Sequence, residues 1–256
     1  MLAVRDLRVR FGPRVVSHIP ELDLAAGEIV GLAGESGSGK SVAALGVCGL
    51  TQYLGASAEG SVRLGEVDLL QLGEREMRRI RGRRIAMVMQ NPRASLNPTL
   101  RLGKLFHRTL RLHGIGRAEA RRRALISMDE VLLDPALLRR YPHQVSGGQA
   151  QRFSIALALA LNAEYLLADE PTSALDATVQ AEVVALLRKV TIDRGTGVLF
   201  ISHDLAVIGE LCSRLLVMRE GEVVEVGDTA RVLARPSSPY TRELVAAVPR
   251  IGGHGG

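Results

Sequence analysis

Gly34-Glu-Ser-Gly-Ser-Gly-Lys-Ser41 is the stretch on which the reading of this 256-residue chain turns. Before it lies the short apolar run Glu28 to Ala33, suited to a strand buried on both faces. After it, from Lys40 to about Leu50, small and apolar residues predict a helix packed on a sheet. Strand, glycine loop and helix in that order match G-x-x-x-x-G-K-[ST] in its proper context. Each residue type has a role there. Glycines let the backbone fold back so that successive N–H groups converge on phosphate oxygens, and the helix turns its positive end to the same anions. The expected contacts are Gly34, Glu35, Ser36, Gly37, Ser38, Gly39, Lys40, Ser41 and Val42. Lys40 would bridge the outer phosphates of a nucleotide, and the Ser41 hydroxyl would join the shell of a Mg²⁺ ion.

Outward from the loop, extended and helical signals alternate. Leu2 to Phe11 alternates apolar and polar residues like a half-buried strand, and Ser61 to Leu69 reads as a hairpin. Arg84–Gln90, Ala163–Asp169, Gly197–Ser202, Arg214–Met218 and Glu222–Val226 are further strands, and Val179–Val190 is a helix. Residues from about 92 to 150 differ: they are arginine-rich, helical in period (clearest over Ala118–Asp129) and broken by Pro92, Pro98, Pro135 and Pro142. The expectation is an α/β fold over residues 1–250 with a parallel-rich sheet, a small antiparallel patch near the N-terminus and an inserted helical subdomain, followed by a frayed tail at 251–256.

Composition narrows the function classes. The net charge of +6 raises nucleic acid or an anionic surface as partners, but it comes almost wholly from arginine, with lysine only at 40, 104 and 189, and is read as solvated surface. Cys48 and Cys212 are far apart and lack metal-ligand spacing, which points to a reducing compartment. Met1–Asp6 has no secretory pattern, and the most apolar stretch, Phe153–Leu161, is too short to span a bilayer. A soluble chain is expected, held at any membrane by partners.

A second cluster sits downstream. Asp169 and Glu170 end an apolar strand, where one carboxylate can hold Mg²⁺ through water and the other can polarise a water attacking the γ-phosphate. Val145-Ser-Gly-Gly-Gln-Ala-Gln-Arg152 precedes it, Ser173-Ala-Leu-Asp176 follows, and His203 closes the strand ending at Ser202. Together with the loop at 34–41 and Gln90, this ordered set resembles the nucleotide-binding domains of ABC transporters over nearly the whole chain. The resemblance implies the RecA-like ABC ATPase core, and ATP with Mg²⁺ as ligands. Ser41, Gln90 and Asp169 then form the Mg²⁺ environment, with Glu170, Gln90 and His203 in catalytic roles. It further implies that Ser146, Gly147, Gly148 and Gln149 contact ATP held by an opposing subunit, that Asp176 lies at that interface, and that Phe11 stacks on adenine.

Asn91-Pro-Arg-Ala-Ser-Leu-Asn-Pro98 and Pro236-Ser-Ser-Pro-Tyr-Thr-Arg-Glu-Leu244 look like the dipeptide, oligopeptide and nickel importer subfamily. Gln149 stands where that group often has methionine, and Ser238 where a histidine is usual; the wording around Met89–Arg93 leans towards nickel or metal-chelate importers. Such systems imply a second, different ATPase subunit, two membrane permease subunits and an extracytoplasmic binding protein, with this chain peripheral on the cytoplasmic face of the membrane. The alternative is a soluble ABC ATPase acting on nucleic acid or ribosomes. It is disfavoured by a single cassette without heptads or zinc spacing, so no nucleic acid is expected.

Overall fold

The computed structural model describes residues 1–173 and 175–247, with every side chain among them except that of Arg93; the expected frayed tail at 251–256 lies outside the described residues. In chain order the elements are β1 (Leu2–Phe11), β2 (Arg14–Leu24), β3 (Ile29–Ala33), α1 (Lys40–Val47), β4 (Ser57–Leu64), β5 (Val67–Asp68), α2 (Glu74–Ile80) and β6 (Ile85–Val88). Four helices follow without an intervening strand: α3 (Pro92–Ser95), α4 (Leu102–Leu112), α5 (Arg117–Glu130) and α6 (Gly147–Leu161). The chain then runs β7 (Tyr165–Asp169), α7 (Ala177–Arg194), β8 (Gly197–Ser202), α8 (Leu205–Leu211), β9 (Arg214–Arg219), β10 (Glu222–Asp228), α9 (Thr229–Ala234) and α10 (Pro239–Ala246).

All ten strands form one sheet in the order β5-β4-β1-β2-β10-β9-β3-β8-β7-β6. From β9 to β6 every pairing is parallel. Strands in such a sheet are covered on both faces and so need apolar residues at every position. Alternate residues of β7 and β8 accordingly serve two different cores. Leu166, Ala168, Val198 and Phe200 pack among the helices α4 to α8, while Tyr165, Leu167, Leu199 and Ile201 pack with α1 and the N-terminal strands.

Strand β2 escapes a reading by alternation, and the structure shows why. Its buried side chains are Ser17, Ile19, Leu22 and Leu24, so the inward face slips from odd to even positions at Pro20–Glu21. Pro20 has no N–H to give the ladder; the register sets it across from Asp6 of β1, at φ 47°, where β1 shifts its pairing with β4 between Arg5 and Arg8. The antiparallel part is therefore larger than the sequence suggests: β5, β4, β1 and β2 form one arm, and β10 adds an antiparallel partner to β9. Among the described residues a single ladder pair, Glu222–His18 of β10 and β2, carries the sheet from that arm towards the parallel strands.

The helices between β6 and β7 have their own centre, where Phe106 of α4 meets Phe153 of α6 edge to face, ring centroids 5.7 Å apart. The apolar run Phe153–Leu161 is the body of α6, which begins at Gly147 and crosses position 150 without a break.

Candidate nucleotide-binding site

Parallel strands share the direction of their C-terminal ends, so whatever follows them is gathered along one edge of the sheet. The register brings Ala33 opposite Ser202, and Asp169 opposite Ile201. Hence the phosphate loop after β3, Gln90 after β6, the Asp169–Glu170 pair at β7 and His203 after β8 converge, although up to 169 positions separate them in the chain (203 − 34).

The loop's glycines answer to specific contacts. Gly34 has φ +151°, and a Cβ on it would lie 2.2 Å from the Met218 carbonyl oxygen and 2.7 Å from the Ser38 hydroxyl. Gly39 has φ +103°, and its Cβ would lie 2.6 Å from the Val16 carbonyl oxygen. Both positions thus exclude a side chain by space as well as by conformation. Lys40, 6% exposed, turns its ammonium back into the loop and donates to the Gly34 and Glu35 carbonyls, 2.7 Å each, and to Ser38 Oγ at 3.4 Å. Burial lowers its pKa, against the opposing pull of Glu170, Asp169 and Glu35.

The Ser41 hydroxyl donates to Asp169 Oδ1 at 3.0 Å, tying the start of α1 to the end of β7. Burial raises the Asp169 pKa, the Ser41 bond opposes that rise, Glu170 adds to it and Lys40 works against it. Glu170, also buried, sits at φ 48° with its N–H on the Ile201 carbonyl. Its Oε1 accepts from the His203 backbone N–H at 3.1 Å and meets His203 Nδ1 at 2.9 Å. A carboxylate only accepts, so Nδ1 carries the proton in that contact. The other oxygen, Oε2, is buried and has no protein partner.

A cleft of about 200 Å³ opens beside these groups, lined by Val16, Ser36, Gly37, Gly39, Lys40, Ser41, Val42, Gln90 and Glu170. Backbone N–H groups at a helix start, one ammonium and a carboxylate pair suit a polyphosphate with a hard cation. The donor set fits Mg²⁺ on charge grounds as well. Two buried carboxylates face one buried ammonium whose three hydrogen-bond directions are directed at the loop itself, so the pocket holds a negative excess that a divalent ion would balance. Among the described residues no cluster of three or more His, Cys, Asp or Glu could form an all-protein metal cage. The oxygen of Ser41 beside that of Asp169 is the pattern of an ion shared with a phosphate ligand.

The chain matches the ABC transporter family over residues 18–173. It belongs to that family. It is 43% identical to the "Probable peptide ABC transporter ATP-binding protein y4tR" of Sinorhizobium fredii, over 97% of this chain and 77% of that protein. It is 42% identical to the "Glutathione import ATP-binding protein GsiA" of Salmonella typhimurium over 90% of this chain, and spans 38% of that protein's length. Among solved structures, the dimeric bacterial ABC transporter cassette MJ0796 superposes with a TM-score of 0.80 at 28% identity, covering 90% of this chain and 99% of that one. A dimer of the same cassette in a post-hydrolysis state, bound to ADP and Pi, gives 0.79. This cassette is accordingly an α/β ABC ATPase that binds ATP.

Other sequence-predicted residues lie away from the cleft. Ser146 is exposed at the start of α6, where it accepts from the Gln149 N–H at 3.1 Å while Gln149 Oε1 accepts from the Ser146 N–H at 3.0 Å. Gly147 and Gly148 form the first turn of the same helix. Asp176 caps α7 through the Val179 N–H at 3.0 Å. Phe11 stands 39% exposed at the β1–β2 turn and does not line the cleft, whereas Val16, on β2, does. Sequence reasoning missed Val16 because the inward face of its strand, β2, changes phase at Pro20–Glu21 and Val16 itself is only partly buried. It also missed the Met218 carbonyl against Gly34 and the Tyr240 hydroxyl on Glu35 N–H, 3.1 Å away, which only the assembled sheet brings near the loop.

Proposed function

We propose that this chain is the ATP-hydrolysing subunit of an importer for peptides or peptide-like solutes such as glutathione. The convergence of Lys40, the Ser41–Asp169 pair and Glu170 at one cleft carries the ATPase part of this reading. The names of the two relatives support the cargo class; nickel and metal chelates have no counterpart in those names. The MJ0796 dimers support pairing with a second ATPase subunit.

In this reading the loop from Gly34 to Val42 cradles the phosphates and Lys40 neutralises the outer ones. Ser41, Asp169 and Gln90 hold Mg²⁺, Asp169 partly through water; the bound ion would screen charge on the transferring phosphoryl group. Glu170 Oε1 is fixed by His203, and its unpartnered Oε2 is the oxygen available to accept a proton from an attacking water. Phe11 remains the proposed adenine contact. Ser146, Gly147, Gly148 and Gln149, with Asp176, would serve the partner's nucleotide across the dimer.

No helix among the described residues is long and apolar enough to cross a membrane, so permease subunits would supply the channel and an extracytoplasmic protein the cargo, with this chain peripheral on the cytoplasmic side. We place the permease contact on the helical insertion at about 92–150. A groove of about 620 Å³ between that insertion and the core, with Met87, Met89, Leu96 and Leu112 on its walls, supports that placement. The test is Glu170→Gln in the assembled transporter: ATP binding is retained and turnover falls by about 10²- to 10⁴-fold. Near-normal turnover would remove Glu170 from the chemistry.

A further inference from the structure

The segment Pro236–Leu244 stands out as a sequence motif, yet nothing in the ATPase chemistry above uses it. We propose that Tyr240, within that segment, is a positioning residue for Lys40, through which α10 holds the phosphate loop in its nucleotide-binding shape. The proposal rests on the reading of that loop as the ATP site.

The geometry centres on one peptide unit, that between Gly34 and Glu35. Its N–H, on Glu35, donates to Tyr240 Oη at 3.1 Å. Its C=O, on Gly34, accepts from Lys40 Nζ at 2.7 Å. The peptide is planar, so fixing the N–H direction fixes the carbonyl direction as well. Tyr240 thereby sets one of the two short carbonyl contacts that aim the Lys40 ammonium.

Tyr240 is itself held. It is 4% exposed, with the Arg219 guanidinium 4.9 Å above its ring. Just upstream, Glu225 of β10 accepts from the Ser237 N–H at 2.8 Å, the Ser237 hydroxyl at 2.7 Å and the Ser238 N–H at 3.0 Å, pinning the residues that lead into α10. Burial raises the Tyr240 phenol pKa, which keeps the oxygen in its hydroxyl form. The route thus runs from β10 through Ser237 and Ser238 to Tyr240, then across the Gly34–Glu35 peptide to Lys40.

The experiment is a double-mutant cycle on the full chain with ATP titration as the readout and thermal melting alongside. Tyr240→Phe keeps the ring under Arg219 and removes only the hydroxyl that accepts from the Glu35 N–H. It should weaken ATP binding by about three- to tenfold, the range of one lost hydrogen bond, with the melting temperature close to that of the parent. In a Lys40→Ala background the same change should add less than about twofold, because its effect passes through the lysine. Unchanged affinity for Tyr240→Phe would overturn the proposal, as would an equal loss with and without Lys40, or a loss that only tracks a fall in melting temperature. If Lys40→Ala itself leaves ATP binding intact, the reading of the loop fails instead, and that result is distinct from the failure of Tyr240.

Discussion

Glu225 is the residue on which a stability measurement bears most directly. It is 6% exposed on β10. Burial pushes its pKa up, but the bonds from the Ser237 N–H and hydroxyl and the Ser238 N–H more than reverse this and hold the carboxyl at about 2, against an ordinary 4.5. A carboxyl depressed by that much stabilises the fold by about 3 kcal/mol at neutral pH. The sign is that of a depressed acid: the contribution is full above the unfolded value and is lost as pH falls through the folded one. It should therefore shrink to less than half by about pH 3. Glu225→Gln removes the charge and adds a mismatch. If the amide oxygen keeps the Ser237 partners, the amide N–H₂ must face the Ser238 N–H, donor against donor. The variant should be about 3 kcal/mol less stable at pH 7, visible as a melting temperature lower by roughly 6–12 °C for a chain of this size. Urea unfolding at pH 7 and pH 3 then separates charge from shape. The gap between parent and variant must narrow at the lower pH. A gap of equal size at both values, or none at pH 7, would refute the assignment of this carboxylate as the ionised anchor of the segment before α10.

Gly34→Ala should abolish ATP binding while leaving most of the fold in place, because its methyl would meet the Met218 carbonyl at 2.2 Å and the loop can yield more easily than β9; circular dichroism with nucleotide titration checks both halves. Gln149→Met, towards the residue usual in the importer subfamily, removes the side chain that accepts the Ser146 N–H and should cost about 0.5–1 kcal/mol in urea unfolding. Cys48 and Cys212 are buried and unpaired, and burial pushes both thiols up to about 12. Neither should react with a thiol reagent at pH 8 on a timescale of minutes in the folded chain, and both should react in denaturant; rapid native labelling would contradict their burial.

The parallel half of the fold was legible because burial on both faces forces apolar runs, and Gly197–Ser202 matches β8 to the residue. The helix read at Ala118–Asp129 is α5, one residue longer at each end. Where legibility failed, two local rules conflicted. In β2 the inward face changes phase at Pro20, and Ser17 occupies a buried position, so neither alternation nor hydrophobicity marks the strand. The site divided in the same way. Gly34–Ser41 announces itself because a backbone-lined phosphate cradle has few sequence solutions. Val16 and the Met218 carbonyl contribute through ordinary strand positions that carry no local mark, and Tyr240 lies in a segment whose motif says nothing of the loop; only the assembled fold brings them together.

Helix beginnings explain why the cleft at the phosphate loop forms where it does. Strands β6, β7 and β8 lead into α3, α7 and α8, and each of those helices is closed by a side chain. Asn91 Oδ1 accepts from the Ala94 N–H, Asp176 Oδ1 from the Val179 N–H, and Asp204 Oδ1 from the Ala206 N–H. A capped N-terminus has spent part of its donor capacity and has a carboxylate or amide in front of it, which in the aspartate cases repels an incoming anion. Helix α1, which follows β3, starts differently. Its cap is Gly39 at φ +103° with no side-chain acceptor, its first turn holds no acidic residue, and its first residue is Lys40. No side chain caps the start of α1, which stands next to an ammonium. Four helices follow parallel strands at the same sheet edge, and the sequence caps three of them with its own side chains. The fourth is the one whose uncapped start suits a phosphate, bound together with the divalent ion that the neighbouring carboxylates call for.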